Sequence, residues 1–204
     1  MPCSAATISP SGRLVAMTIR MRRPRPVDLQ PLADRSGDVP LTYGPVGVTE
    51  SGVTPPNHHR DRWTRVLGRG DRTFDLAAEA IRTWGVQRGA GLVVLAASPP
   101  QVGDIVAMSA PLPVGWIDAV CRVVRLVDEP DRAGFAYGTL ADHPEQGEES
   151  FTVERDDDGT VTFEIIAVSR PRHPLARLAP PVARILQRRA VDRYLDAMTT
   201  AVRR

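Results

Sequence analysis

The sequence contains no lysine, only two cysteines and few aromatic residues. All 26 basic residues are arginine. Two cysteines, Cys3 and Cys121, cannot build a disulfide framework or a zinc cluster by themselves. Ten aromatic side chains among 204 residues leave little for a platform on which RNA bases could stack. Every apolar stretch is interrupted well before the ~18 residues of a membrane-spanning helix. We therefore expect a cytoplasmic protein without a membrane span, and nucleic acid is disfavoured as a partner.

Several common catalytic motifs are also missing. The sequence has no P-loop, no glycine-rich dinucleotide fingerprint after a strand and no Gly-x-Ser-x-Gly elbow. The short glycine segments at 67–70 and 88–91 are too short to cradle a phosphate. The sequence therefore predicts neither a cofactor nor a metal site, and it leaves the oligomeric state open.

Charge is distributed unevenly along the chain. The net charge is +3 for residues 1–40, −8 for 41–169 and +7 for 170–204. A uniformly basic chain would indicate nucleic acid, whereas this pattern favours a basic C-terminal helix lying on an acidic sheet. The alternative is a surface-binding module that uses its basic ends to bind anionic lipid or nucleic acid.

The first 40 residues are rich in arginine and proline and poor in apolar side chains. Arginine and proline dominate between residues 22 and 26. Because proline blocks helix continuation and removes a backbone donor, regular structure is disfavoured there. The sequence predicts a disordered tail over 1–40 and a single domain over 41–204.

A helix is predicted over residues 71–84. Apolar residues recur from Phe74 to Trp84 with the i, i+3, i+4, i+7 spacing of one helix face. Asp71 is a candidate N-cap, and Gly85 follows the last apolar residue as a helix end.

Strands are predicted on both sides of this helix. The apolar or alternating runs cover residues 41–49, 63–67, 92–97, 104–109, 117–127, 132–140, 148–155 and 161–169. The Asp-Asp-Asp-Gly segment at 156–159 predicts a tight hairpin turn, because glycine supplies the positive φ that such turns need. A calcium loop is the alternative, but the segment lacks the spaced ligands of an EF-hand.

A long amphipathic helix is predicted from Val182 onward, with about five turns. The residues of its apolar arc are Leu186, Ala190, Tyr194, Ala197 and Ala201, and those off the arc are Val191, Leu195 and Val202. No helices separate the later strands, which disfavours a parallel sheet. The predicted fold is therefore α+β: a curved antiparallel sheet of about six to seven strands gripping the long C-terminal helix. A lipocalin-like barrel is the alternative, although it would not need so long an amphipathic helix.

The segment Gly134-Phe-Ala-Tyr-Gly-Thr-Leu140, followed by His143-Pro-Glu145 and Gly147-Glu-Glu149, carries a family resemblance. It resembles the signature of domain-of-unknown-function family nineteen-ninety, which occurs in bacteria and plants, and the match covers about residues 43–200. That family implies no established bacterial activity. Its order of elements is similar to the START-like and birch-pollen-allergen-like helix-grip proteins, which bind lipids, sterols or polyketides, so ligand binding is implied by analogy of topology.

Tyr137 and Thr139 share one face of a predicted strand. If that face borders a cavity, their hydroxyls could orient a polar ligand group; otherwise the tyrosine packs with its hydroxyl on a backbone carbonyl. Glu148 and Glu149 point to opposite faces, so one of them is buried and needs a partner. Arg122 and Arg170 are the candidates for that partner, and they could also anchor a ligand carboxylate or phosphate.

The loop 142–149 contains one histidine and four carboxylates. His143, Glu148 and Glu149 are candidate acid/base groups, and the alternative is a polar hairpin loop. We therefore expect a protein that binds a small apolar or amphipathic molecule between sheet and helix, with Tyr137, Thr139, Arg122, Glu148 and Arg170 as polar contacts. An enzyme on the same scaffold, using the acid/base groups of the loop, is the second hypothesis.

Overall fold

The computed structural model describes residues 4–8, 14–172 and 180–203, with side chains from residue 18 onward except those of 180–184 and 186. The strands are β1 Ser4–Ile8, β2 Leu14–Arg20, β3 His59–Arg69, β4 Val93–Leu95, β5 Ile105–Pro111, β6 Trp116–Glu129, β7 Arg132–Thr139, β8 Glu145–Arg155 and β9 Thr160–Pro171. A 3-10 turn covers Pro26–Leu29, and the helices are α1 Gln30–Asp34, α2 Val48–Ser51, α3 Asp71–Arg82, α4 Gly85–Gly89 and α5 Pro180–Ala201.

The strands form one antiparallel sheet in the order β4-β5-β6-β7-β8-β9-β3, and the β1–β2 hairpin is attached to the start of β6. Bulges in β3, after Val66, and in β6, after Val123, interrupt the register and bend the sheet. The turn between β8 and β9 is the predicted hairpin, with Gly159 at φ +80°. The α+β helix-grip prediction is confirmed.

One face of the sheet packs against α3 and α5. The contact is an aromatic cluster in which Phe151 lies 5.6 Å from Phe135 and 6.4 Å from Phe163, ring centre to ring centre. The Tyr194 ring of α5 meets Phe151 edge-on at 5.2 Å. These buried rings fix how α5 lies across the sheet.

The buried stripe of α5 differs from the predicted arc. Val191, Tyr194, Leu195 and Met198 are buried, while the predicted alanines are only half-buried. The side chain of Leu186 lies outside the described residues. The prediction was rotated because small alanines mark a helix face less reliably than the larger side chains that fill the core. None of the described helices is both long enough and apolar enough to cross a bilayer.

The other face of the sheet is covered by the segment that precedes β3. Leu29 and Leu32 are buried in a second apolar cluster with Val120 and Leu140. The prediction of a disordered tail over 1–40 is therefore wrong for residues 4–8 and 14–40, which form strands, short helices and a packed segment; residues 1–3 and 9–13 lie outside the described part of the chain. The strand predicted at 41–49 is also wrong, because this stretch is a loop that leads into α2.

Candidate functional site

A cavity of about 490 Å³ lies between the sheet and α5. This volume falls within the roughly 300–1,000 Å³ of small-molecule sites in proteins. Its apolar lining comes from β5, β6, β9, α5 and the residue before β4, and includes Leu92, Met108, Ala119, Ala167, Ala190 and Val191. The cavity begins where the aromatic cluster stops, because Tyr137 and Tyr194 belong to the core and also border the open space.

Tyr137 and Glu149 form a hydrogen-bonded pair on the cavity wall. They are direct neighbours in the β7–β8 register, and the Tyr137 hydroxyl donates to Glu149 Oε2 at 2.6 Å. Burial raises the pKa of Glu149 to about 7, although the Tyr137 hydrogen bond acts in the opposite direction. Burial and the nearby Glu149 also raise the pKa of the Tyr137 phenol well above its ordinary value. Glu149 can therefore gain or lose a proton near neutral pH.

Glu145 is a second carboxyl on the same wall. In an antiparallel strand residues 145, 147 and 149 face the same side, and the Ser169 hydroxyl of β9 donates to Glu145 Oε2 at 2.9 Å. Burial raises the pKa of Glu145. Two carboxyls therefore face the cavity, each with one hydroxyl donor from a neighbouring strand.

His143 also borders the cavity. The Glu145 amide donates to its Nδ1 at 3.0 Å. Burial lowers the pKa of His143 to about 4, with a smaller contribution from the positive charge of Arg172. The imidazole is therefore neutral at physiological pH and can act as a hydrogen-bonding group without adding a positive charge.

The Glu148 carboxylate lies on the opposite face of the sheet, where it holds the loop before β3. It accepts hydrogen bonds from the Tyr43 hydroxyl (2.6 Å), the Gly47 amide (2.8 Å), and the Thr49 amide (3.0 Å) and hydroxyl (2.5 Å). Gly138 is the neighbour of Glu148 on β7, and a Cβ added to it would lie 2.5 Å from the Tyr43 hydroxyl. A glycine at this position therefore leaves room for the Tyr43 ring. Glu148 is thus buried, as expected for one of the two glutamates, but its bonds are to the loop.

Arg122 and Arg170 do not pair with Glu148, so that expectation is wrong. Arg122 donates to the Ser36 and Gly37 carbonyls, and Arg170 donates to the Gln146 side chain at 3.0 Å. Neither is among the described residues that line the cavity. Strand parity keeps both arginines out of the cavity, because it places them on the face covered by the N-terminal segment. They share that face with Glu148, but the carboxylate is bonded by the loop before β3 instead.

Thr139 lies at the end of β7 and borders the cavity. Its hydroxyl is already engaged: it lies 2.5 Å from the Thr42 hydroxyl and accepts from the Gly147 amide at 2.9 Å. Of the predicted site residues, Tyr137, Thr139, His143 and Glu149 therefore border one cavity. Glu148 borders it too, although its carboxylate is bonded on the other face. Tyr137 and Glu149 are joined by a hydrogen bond.

The cavity also contains residues that the sequence interpretation did not select. Ser169 and Tyr194 were missed as site residues, and Glu145 was not selected as a cavity contact, although it has the strand parity of Glu149. Cys121 is a buried free thiol in β6, as expected of a small core residue. Within the described part of the chain, no three His, Cys, Asp or Glu side chains are grouped so that they could hold a metal ion.

Comparison with known proteins places these features in a family. The family model described as "Domain of unknown function (DUF1990)" matches residues 42–197. A UPF0548 protein of Deinococcus radiodurans is 31% identical over 192 residues, which cover 89% of this chain and 97% of that relative.

Two solved structures show the same fold at low sequence identity. The hypothetical protein jhp0584 from Helicobacter pylori matches with a TM-score of 0.54 at 12% identity, over 79% of this chain and 95% of that one. The protein TTHA0849 from Thermus thermophilus matches with a TM-score of 0.50 at 15% identity, over 71% of this chain and 97% of that one.

Proposed function

This chain belongs to the family described as a domain of unknown function (DUF1990), and on that premise we propose that it binds a small apolar or amphipathic molecule between sheet and α5. The observation that carries the proposal is the cavity of about 490 Å³. A large apolar space with a few polar groups on its wall is the usual form of a small-molecule site. The walls would hold the apolar body, and Tyr137 with Glu149 would orient its polar end.

A second candidate function is acid/base catalysis in the same cavity. It is favoured by Glu149, whose pKa of about 7 suits proton transfer near neutral pH. Glu149 would exchange the proton, Tyr137 would donate a hydrogen bond to the substrate or to Glu149, and His143 would face the same space. The Glu148 carboxylate has no part in this candidate because it lies on the other face of the sheet. Both candidates require that a molecule enter the cavity.

Filling the cavity from α5 is expected to weaken binding about tenfold. Ala190 is half-buried and lines the space, so Ala190→Trp puts an indole where the ligand would lie. Displacing ~60 Å² of ligand contact at ~25 cal/mol per Å² corresponds to roughly tenfold weaker binding. The measurement is fluorescence titration with Nile red, a neutral apolar dye that brightens when it leaves water.

The control is Thr200→Trp, which adds the same side chain at an exposed position of the same helix. Its affinity for Nile red should equal that of the wild type. The proposal fails if wild-type protein does not brighten the dye, or if Ala190→Trp and Thr200→Trp bind it equally well.

A further inference from the structure

The charged side chains on the sheet side of the cavity are acidic, and those on the helix side are basic. Glu145 and Glu149 face the space from β8, and the neutral imidazole of His143 supplies no compensating charge. The two arginines that border the cavity, Arg189 and Arg193, are exposed on α5. Solvent screens charges at such positions, and it screens the half-buried carboxyls of Glu145 and Glu149 less.

Among the described residues, fewer donors reach the two cavity carboxyls than reach Glu148. A carboxylate offers about four acceptor positions. Glu149 accepts one side-chain hydrogen bond, from Tyr137, and Glu145 accepts one, from Ser169. Glu148 shows what a satisfied carboxylate looks like in this protein, since it accepts four. Within the described part of the chain, one side-chain donor, Tyr137, holds Glu149, on a wall whose other lining is largely apolar.

We propose that the ligand is an amine with an apolar body, bound as its ammonium ion, with the ammonium group donating to the Glu149 carboxylate beside Tyr137. This inference rests on the proposed function and names the ligand's chemical class. An ammonium has three donors and no acceptor, which complements a carboxylate, since an ionised carboxylate only accepts hydrogen bonds. Glu145 adds a second negative charge on the same wall. Among the described residues that line the cavity, an anionic ligand would meet these two carboxyls, and the positive groups there, Arg189 and Arg193, are exposed.

Three probes with the same chain test the head-group preference: decylammonium, decanol and decanoate, each displacing Nile red below its micelle concentration. We expect decylammonium to bind at least about tenfold more tightly than decanol, since hydrogen bonds to charged groups contribute ~1.5–3 kcal/mol. Decanoate should bind most weakly. Glu149→Gln should weaken decylammonium binding about tenfold and leave decanol within about twofold.

The matched control is Glu154→Gln, which makes the same change at an exposed position of the same strand. It should leave all three affinities unchanged. If decanol and Nile red bind but decylammonium binds no tighter than decanol, or Glu149→Gln does not change its affinity, the inference is overturned and the proposed function stands. If Nile red itself does not bind to the wild type, the proposed function fails, and the inference fails with it.

A measurement on the wild type alone completes the test. Decylammonium stays protonated between pH 6 and pH 8, whereas Glu149 ionises in this range. The ratio of decylammonium to decanol affinity should therefore rise with pH, and a flat ratio would overturn the inference. The titratable and charged groups around Glu149 and its neighbour Glu145 are Cys121, Tyr137, Tyr194, His143, Asp61, Arg189 and Arg193.

Discussion

Replacing Glu148 by alanine is expected to lower the free energy of unfolding by about 3–5 kcal/mol. The carboxylate is buried and receives four hydrogen bonds from Tyr43, Gly47 and Thr49. Without it, two backbone amides and two hydroxyls lose their acceptor at a site closed to water. Arg60 holds the same loop from β3, donating to the carbonyls of Val48 and Thr49, each at 2.8 Å. It cannot replace Glu148, because a guanidinium has no acceptor for the amides and hydroxyls.

Urea unfolding measures the free energy, and amide hydrogen exchange locates the effect. Protection of the Gly47 and Thr49 amides should be lost first, because their acceptor is the carboxylate itself. Glu154→Ala is the control, since this exposed glutamate should change stability by no more than ~0.5 kcal/mol. Equal stability of the two alanine variants would show that Glu148 does not hold the loop.

Glu149→Gln is expected to stabilise the protein at pH 8 by up to about 3 kcal/mol. The pKa of Glu149 is about 7 in the folded protein, against an ordinary value of 4.5. Between these values the folded state binds more protons than the unfolded state, so wild-type stability falls as pH rises from 4.5 to 7. Above pH 7 the wild type has lost all of this stability, at ~1.4 kcal/mol for each unit by which the pKa is raised. Glutamine carries no charge, so the variant does not lose this stability.

The measurement is the difference in unfolding free energy between Glu149→Gln and wild type at pH 4.5 and pH 8. The difference should be small at pH 4.5, where the folded carboxyl is protonated, and large at pH 8. His143, whose pKa is lowered to about 4, acts with the opposite sign on both proteins and cancels in this comparison. A difference that is the same at both pH values would contradict the raised pKa of Glu149.

Local sequence patterns predicted most of the sheet because alternation and turn residues are short-range signals. The β8–β9 hairpin follows from Asp-Gly at 158–159 between two alternating segments, and α3 follows from apolar spacing alone. The segment 18–51 was not predicted because its order comes from distant residues. Leu29 is buried against strand residues such as Val120. The Gly47 and Thr49 amides at the start of α2 donate to Glu148, which lies about 100 positions further along the chain.

The site was predicted only in part, because the sequence shows which residues are near each other along the chain but not which face of the sheet they occupy. The motif around Tyr137 and the loop 142–149 contains the right chemistry, but the face of each strand depends on register. Choosing Glu148 over Glu149 as the cavity carboxyl exchanged the two faces of the sheet and, with them, the expected roles of Arg122 and Arg170. The sequence predicted Tyr194 as part of the apolar stripe of the last helix. That Tyr194 also borders a cavity follows only from how α5 packs on the sheet.

The most direct test of the central claim, that the cavity admits a ligand, is NMR of protein labelled with ¹³C at the methionine methyl groups. Met108 lines the cavity, Met198 is buried in the filled core, and Met21 is exposed on the surface. Titration with decanol should shift the Met108 methyl signal saturably and leave the Met198 and Met21 signals in place, and Ala190→Trp should suppress the shift. A Met108 signal that does not move, or that moves no more than the signal of Met21, would contradict the account.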